Sequence, residues 1–219
     1  MIKKITQKHY QQLIKDADII EKDAFGVKVL DTKKGEMIKL FRRKRLLSTA
    51  LFKPYAVRFV DNSKKIAALD IPTITVNKLF WCSSIKRHLV IYQRLEGEPL
   101  RDVLSKPSSN AKEIFRQLGA FIAQLHDKGI YFRSAHLKNI LLLTNGEFGL
   151  IDISDLMVKS HSLKVKLRQR NFKHILRYRE DKTLFKSHLQ DFFSSYVTAS
   201  NLSENETGKI EKTIKSILA

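Results

Sequence analysis

Residues 125–155 read LHDKGIYFRSAHLKNILLLTNGEFGLIDISD, and this stretch decides the fold. It opens on the Leu125-His126 end of a helix, and Gly129 supplies the turn that follows. A polar loop holds Arg133, Ser134, His136 and Asn139. The apolar run Ile140–Leu143 then passes through Asn145-Gly146, a turn pair, into a second apolar strand, Phe148–Ile153. That strand contains one carboxylate, Asp152, flanked by Leu150, Ile151 and Ile153. Burying an acid there requires a cation or strong donors. Asn139 and Asp152 lie at the mouths of two strands joined by a short hairpin, so their side chains can converge on one ion. A plain hairpin with an incidental acid fits the same residues.

The order of these signals resembles the catalytic loop and metal strand of the protein-kinase-like fold, in the variant used by small-molecule and lipopolysaccharide kinases. The pattern there is Leu-His, a Gly turn, a loop of the form His-Gly-Asp-Leu-His-x-x-Asn, and a hydrophobic strand ending Ile-Asp-Phe. Leu125-His126, Gly129, His136, Asn139 and Ile151-Asp152-Ile153 fall in register with it. The chain is most similar to the lipopolysaccharide core (Kdo/heptose) kinase family, which includes proteins labelled toluene-tolerance proteins. The similarity runs from Asp23 to Tyr178. One departure concerns the chemistry. The position of the family's catalytic Asp holds Ser134, five residues before Asn139, and a neutral hydroxyl does not accept a proton near neutral pH as a carboxylate does.

Composition bounds the remaining choices. A chain of 219 residues with 43% hydrophobic content accommodates one domain, or two packed lobes, with a real core. No apolar run approaches the roughly 20 residues of a membrane span. The opening MIKKITQKHYQQLIKDADII lacks an apolar signal core. Cys82 is the single cysteine, which excludes internal disulfides and a thiolate metal cage. A cytoplasmic monomer is expected, in peripheral contact with the acidic inner face of a membrane. The net charge of +19 points to an anionic partner. Basic residues concentrate in Arg42-Arg43-Lys44-Arg45 and in Lys159–Lys182, where nine Lys/Arg face only Glu180 and Asp181. Nucleic acid is the weaker candidate, because Phe25, Phe41, Tyr92 and Phe121 sit at core-like positions and do not interleave with the basic clusters.

Periodicity predicts an α+β chain. A short amphipathic helix runs through Tyr10, Leu13 and Ile14, and a strand at Phe25–Leu30 pairs with Glu36–Phe41 across a turn at Asp31–Gly35. A helix begins at Pro54 and reaches about Leu69, and strands follow at Lys78–Ser83 and His88–Arg94. With an extended segment starting at Ile71-Pro72-Thr73, and leaving the lead-in helix aside, this amounts to about five strands and one helix before residue 95, an antiparallel-sheet N-lobe over residues 1–95. Leu95–Pro99 reads as a linker into a mainly helical C-lobe over residues 96–219. There Asn110 and Glu113 form a capping box. The helix they open carries Ile114, Leu118, Phe121, Ile122 and Leu125 as a buried stripe. Further helices are expected at Leu184–Val197 and from Ser203, where Glu206 completes a second capping box.

The resemblance also implies a site. It assigns ATP and Mg²⁺ as cofactors, with Lys39 on the nucleotide phosphates and Asn139 and Asp152 on the metal. Asn62 stands where the family's lysine partner would be, with Asp61 beside it, and Gly26 provides a minimal phosphate-covering loop. Arg133, Ser134 and His136 face the acceptor hydroxyl. His136 either replaces the missing base or packs under the loop. His126 is expected to be structural. Arg168 and Arg170, in Arg168-Gln169-Arg170-Asn171, are expected either to contact phosphate or to brace the loop backbone. Two functions remain open at this point. One is an ATP-dependent phosphotransferase acting on an anionic sugar or glycolipid of the lipopolysaccharide core type. The other is a nucleotide-binding pseudokinase that regulates or scaffolds.

Overall fold

The computed structural model describes residues 2–42, 54–107 and 110–219. Of the basic block at 42–45, only Arg42 lies among the described residues. The chain forms two compact units, Met1–Ala67 with Thr73–Leu95, and Ala68–Pro72 with Glu96–Ala219.

The first unit is built on a six-stranded sheet. Its elements are β1 (Lys3–Ile5), α1 (Gln7–Ile14), β2 (Asp18–Asp23), β3 (Gly26–Asp31), β4 (Glu36–Arg42), α2 (Tyr55–Ala67), β5 (Thr75–Cys82) and β6 (Arg87–Gln93). The strand order is β1-β5-β6-β4-β3-β2. Strand alternation assigns the two faces. Ile38 and Leu40 join Ile5, Leu30, Phe80, Cys82, Leu89 and Ile91 in a core that α1 covers with Tyr10, Leu13 and Ile14. Lys39 and Phe41 point to the opposite face. There Phe59 of α2 meets Phe41 and Tyr92, each at 5.5 Å between ring centroids.

Both helices were expected, but the strands differ: the segment at Ile71–Thr73 is no separate strand, and β1 and β2 are added. β1 runs parallel to β5, so the sheet is not wholly antiparallel. Both additional strands lack a readable period for physical reasons. β1 is three residues long and buries only Ile5, while every residue of the edge strand β2 is exposed.

In the second unit, Leu95–Pro99 is not a free linker: Gly97–Pro99 forms β7. It pairs with β9 (Ile140–Leu143), which in turn pairs with β10 (Phe148–Leu150). A Cβ on Gly97 would stand 2.8 Å from the Leu142 carbonyl oxygen, so glycine is what lets the strand approach. After α3 (Leu100–Leu104) comes α4 (Ala111–Asp127), which buries the expected apolar stripe. Asn110 caps it by accepting from the Glu113 amide. The reciprocal half of the expected box is absent, because the Glu113 carboxylate accepts from Arg116 and Gln117 instead. β8 (Ile130–Phe132) pairs with β11 (Leu156–Val158). Helices α5 (Val165–Ile175), α6 (Arg179–Thr198) and α7 (Glu204–Leu218) complete the unit. Ser203 and Glu206 close the full capping box on α7. Helices α4 and α6 approach so closely that a Cβ on Gly119 would lie 2.1 Å from the Phe192 carbonyl oxygen. No helix among the described residues is long and apolar enough to cross a membrane.

Candidate active site

The loop at 133–139 is set by backbone geometry at both ends. Gly129 turns the chain out of α4 at φ 74°, and its amide donates to the His126 carbonyl at 3.1 Å. Positive φ and the nearby His161 and Lys159 carbonyls, 2.5 and 2.6 Å from a Cβ placed there, both demand glycine. At the far end Asn139 closes a short 3-10 turn. Its side-chain nitrogen donates to the Ser134 carbonyl at 2.9 Å and to His136 Nε2 at 3.2 Å. These bonds use the Nδ2 protons and leave Oδ1 as the acceptor available to a cation. The Asn139 carbonyl accepts from the Ile151 amide at 3.0 Å, extending the β9–β10 ladder by one rung. Asp152 therefore begins where Asn139 ends.

Asp152 itself departs from the expected buried strand position. β10 stops at Leu150, and Asp152 takes the left-handed conformation, φ 51° and ψ 46°. Leu150 and Ile153 are fully buried, but the turn carries Asp152 out to an exposed position. Asp is among the few non-glycine residues that tolerate this region. The burial penalty anticipated from its apolar neighbours does not arise. Among the described residues no three His, Cys, Asp or Glu side chains gather as a metal cage. A hard ion taking one amide oxygen, one carboxylate and substrate phosphates needs no cage, and Asn139 with Asp152 offers that donor set.

His136 is not placed as a base. Its Nε2 accepts the Asn139 proton, so the ring proton lies on Nδ1, which is buried without a partner. Its ring meets Tyr178 edge-on at 4.9 Å. Burial holds its imidazole below the usual range, with Asp181 opposing and Arg101 reinforcing that shift. His136 is thus a packing and orienting residue of the loop. Ser134 is partly buried and Arg133 is exposed.

Two functional positions escaped sequence reasoning. Asp181 of α6 is fully buried and accepts from Arg101 of α3 through both oxygens, at 2.7 and 3.0 Å. One oxygen also accepts from the Leu137 amide at 3.2 Å. A charge-assisted bond thereby fixes the middle of the loop.

Arg168 requires a correction. It is 2% exposed, and its guanidinium reaches the Leu163 carbonyl, the Tyr196 hydroxyl and the Asp127 carboxylate. The Tyr196 hydroxyl lies 2.9 Å from His126 Nδ1, and His126 Nε2 lies 3.2 Å from Asn171 Oδ1. Asn171 Nδ2 donates to the Phe132 carbonyl at 2.7 Å, while its Oδ1 also accepts the Phe132 amide. Donor direction then fixes the tautomer: Nε2 carries the His126 proton and Nδ1 accepts from Tyr196. Burial pushes the His126 imidazole down to about 3, aided by Arg168. His126 is structural, as expected. Arg168 braces this relay and is not available to a nucleotide, whereas Arg170 on the same helix is exposed.

In the first unit, Lys39 lies in register with Val29 of β3 and Val90 of β6. Its Nζ stands 5.4 Å from the Phe59 ring centroid. Asn62, one turn after Phe59, is 7% exposed on the buried face of α2. Gly26 has φ 105° at the β2–β3 turn. That turn is held by Arg87, which donates to the Val27 and Phe25 carbonyls, and the Arg42 guanidinium covers the Phe25 ring. The β2–β3 turn is thus short and pinned, with Gly26 its one glycine.

The sequence profile of the Lipopolysaccharide kinase (Kdo/WaaP) family matches residues 26–196. This chain belongs to that family. No curated protein matches it. Among solved structures, a complex of WbdD with the kinase inhibitor LY294002 is similar at TM-score 0.51 and 16% identity. The alignment covers 85% of this chain and 43% of that one. This likeness establishes a kinase-like fold. The bifunctional kinase-methyltransferase WbdD (14% identity, TM-score 0.49, 85% and 47% covered) also aligns. So does a divergent Toxoplasma kinase that lacks the glycine-rich loop (17%, TM-score 0.47, 85% and 69% covered). The chain spans less than half the length of the WbdD chains it matches.

In this member of the lipopolysaccharide kinase family the loop 133–139 contains the Ser134 hydroxyl and no carboxylate. The run Arg168-Gln169-Arg170-Asn171 offered the one local signal for the relay. Arg101 and Asp181 offered none. They lie 80 residues apart, and neither sits in a recognisable motif.

Proposed function

We propose that this protein is an ATP- and Mg²⁺-dependent phosphotransferase acting on a hydroxyl of an anionic sugar or glycolipid of the lipopolysaccharide core type. The observation that carries this reading is the Asn139–Ile151 backbone bond. It brings Asn139, whose side-chain nitrogen is committed to the loop, within one residue of the exposed Asp152 across the hairpin. Bound Mg²⁺ would supply charge neutralisation on the nucleotide phosphates. Asn139 Oδ1 and the Asp152 carboxylate would hold it. Lys39 would bind nucleotide phosphate, with Asn62 and the turn at Gly26 as its surroundings. The Ser134 hydroxyl and Arg133 would meet the acceptor. The phosphoryl-transfer transition state is loose, so positioning and charge outweigh early proton removal. A loop without a carboxylate is therefore compatible with slow transfer. The +19 charge fits an anionic acceptor and a peripheral position at an acidic membrane face.

A second reading, a nucleotide-binding protein without transfer activity, is favoured by the loop itself. Ser134 carries no negative charge, and neither nitrogen of His136 is open to a substrate proton. Phosphate transfer from ATP to purified lipopolysaccharide core acceptors, native protein beside Asp152→Asn, separates the two. Turnover lost in the variant supports transfer. Magnesium-dependent ATP binding without turnover on any core acceptor supports the second reading. Thermal stability indifferent to ATP with magnesium rejects both.

A further inference from the structure

Three guanidinium groups of the second unit converge beside the loop. Arg133 follows β8 directly, in the turn two residues after Tyr131. The Tyr131 hydroxyl lies 3.0 Å from Nε2 of His174, which ties β8 to the last turn of α5. Arg170 lies one helical turn before His174 on α5, and Arg177 follows just past the end of that helix, its guanidinium 5.7 Å from the Tyr178 ring centroid. Arg133, Arg170 and Arg177 are all exposed.

Their charge is uncompensated. Two other exposed arginines pair with carboxylates, Arg94 with Asp31 and Arg116 with Glu113. Among the described residues none of these three takes part in an ion pair. Burial and then the fields of Arg133, Arg170 and Arg177 hold His174 below its usual range. Three like charges kept together on one imidazole cost free energy unless an anion joins them. A guanidinium presents paired donors matched to phosphate oxygens. Arg133 is also the residue immediately before Ser134, so an anion held here sits next to the acceptor position.

We propose that Arg133, Arg170 and Arg177, gathered round His174, form a subsite for a phosphate group carried by the acceptor. The subsite rests on the phosphotransferase reading for the identity of its ligand, and it narrows the acceptor to a phosphorylated sugar. The anchoring phosphate is not transferred. It orients the neighbouring hydroxyl toward the loop.

The test reads His174 directly, by NMR titration of its imidazole in the full chain. Inorganic sulfate serves as a probe that stays doubly charged across the titration, with chloride at equal ionic strength as reference. Sulfate is expected to raise the His174 midpoint by about one pH unit. In R170Q/R177Q the midpoint is expected to start higher and to lose its response. K209Q/K212Q, which removes the same charge from exposed positions on α7, should respond like the native chain. Equal responses to sulfate and chloride, or equal losses in both double variants, overturn the site. Glucose 1-phosphate is expected to bind more tightly than sulfate and free glucose not at all. Sulfate binding as tight as the sugar phosphate would make this a site for free phosphate and overturn its role toward the acceptor. Failure of turnover with intact sulfate binding would count against the phosphotransferase reading alone.

Discussion

Asp181 holds Arg101 with both carboxylate oxygens and, through one of them, the Leu137 amide of the 133–139 loop. A carboxylate with no solvent exposure thus joins α3, α6 and the loop at a single point.

Removing one member of that pair leaves the other charged and unpaired. Asp181→Ala is expected to destabilise the fold by about 3–5 kcal/mol, measured as a shift in the urea midpoint. The double change Arg101→Met/Asp181→Leu should cost clearly less than either truncation alone, because it strands no charge. A double variant as unstable as Asp181→Ala would show that the loop bond at Leu137, and not the stranded guanidinium, dominates.

His126 makes stability depend on acidity. Its imidazole is pushed down to about 3 in the fold and sits near 6.5 when unfolded. The stabilisation is complete above about pH 6.5 and falls as pH drops toward 3, since the unfolded chain takes up the proton first. The loss is up to about 1.4 kcal/mol per pH unit in that window. Urea midpoints from pH 7 to pH 4 should fall less steeply in His126→Gln than in the native chain. Parallel slopes would remove His126 from the acid response.

Two helical glycines should answer oppositely to alanine. At Gly119 a methyl meets the Phe192 carbonyl oxygen at 2.1 Å, whereas at Gly208 nothing lies within 4 Å. Gly119→Ala is expected to cost about 1–3 kcal/mol by forcing α4 from α6. Gly208→Ala should stabilise α7 by up to about 1 kcal/mol. Thermal unfolding of the two variants checks both, and equal shifts of one sign would contradict the packing described.

If the protein transfers phosphate, Ser134→Asp should raise turnover on a core acceptor by about 10²-fold, the lower end of what a positioned base contributes. The gain should vanish at acidic pH as the new carboxylate is protonated. The backbone contact that Ser134 makes, its carbonyl to Asn139 Nδ2, is untouched by the exchange. A variant no faster than the native chain would show that proton removal does not limit the rate.

What the sequence revealed and what it hid follow one physical division. α4, the Gly129 turn, the Asn145-Gly146 hairpin and the pairing of Asn139 with the Asp152 strand are local, and short spacings report them. Membership of the lipopolysaccharide kinase family and the kinase-like fold followed from their order. β2 was illegible because an edge strand exposed along its whole length carries no hydrophobic alternation. The Arg101–Asp181 clamp was illegible because contact across 80 residues leaves no periodic trace. Arg168 was misplaced for a subtler reason. It is two residues from Arg170, and two steps round a helix separate a buried face from an exposed one.

The left-handed backbone at Asp152 sets a narrow corridor for change at that position. One residue answers to two selections at once, a charge at the tip of its side chain and a backbone angle that side chains rarely adopt. Glutamate keeps the charge and strains the turn. Glycine keeps the turn and drops the charge. Asparagine, like glycine, keeps the turn and drops the charge, so if Asp152 holds a metal ion the position has almost no freedom to change.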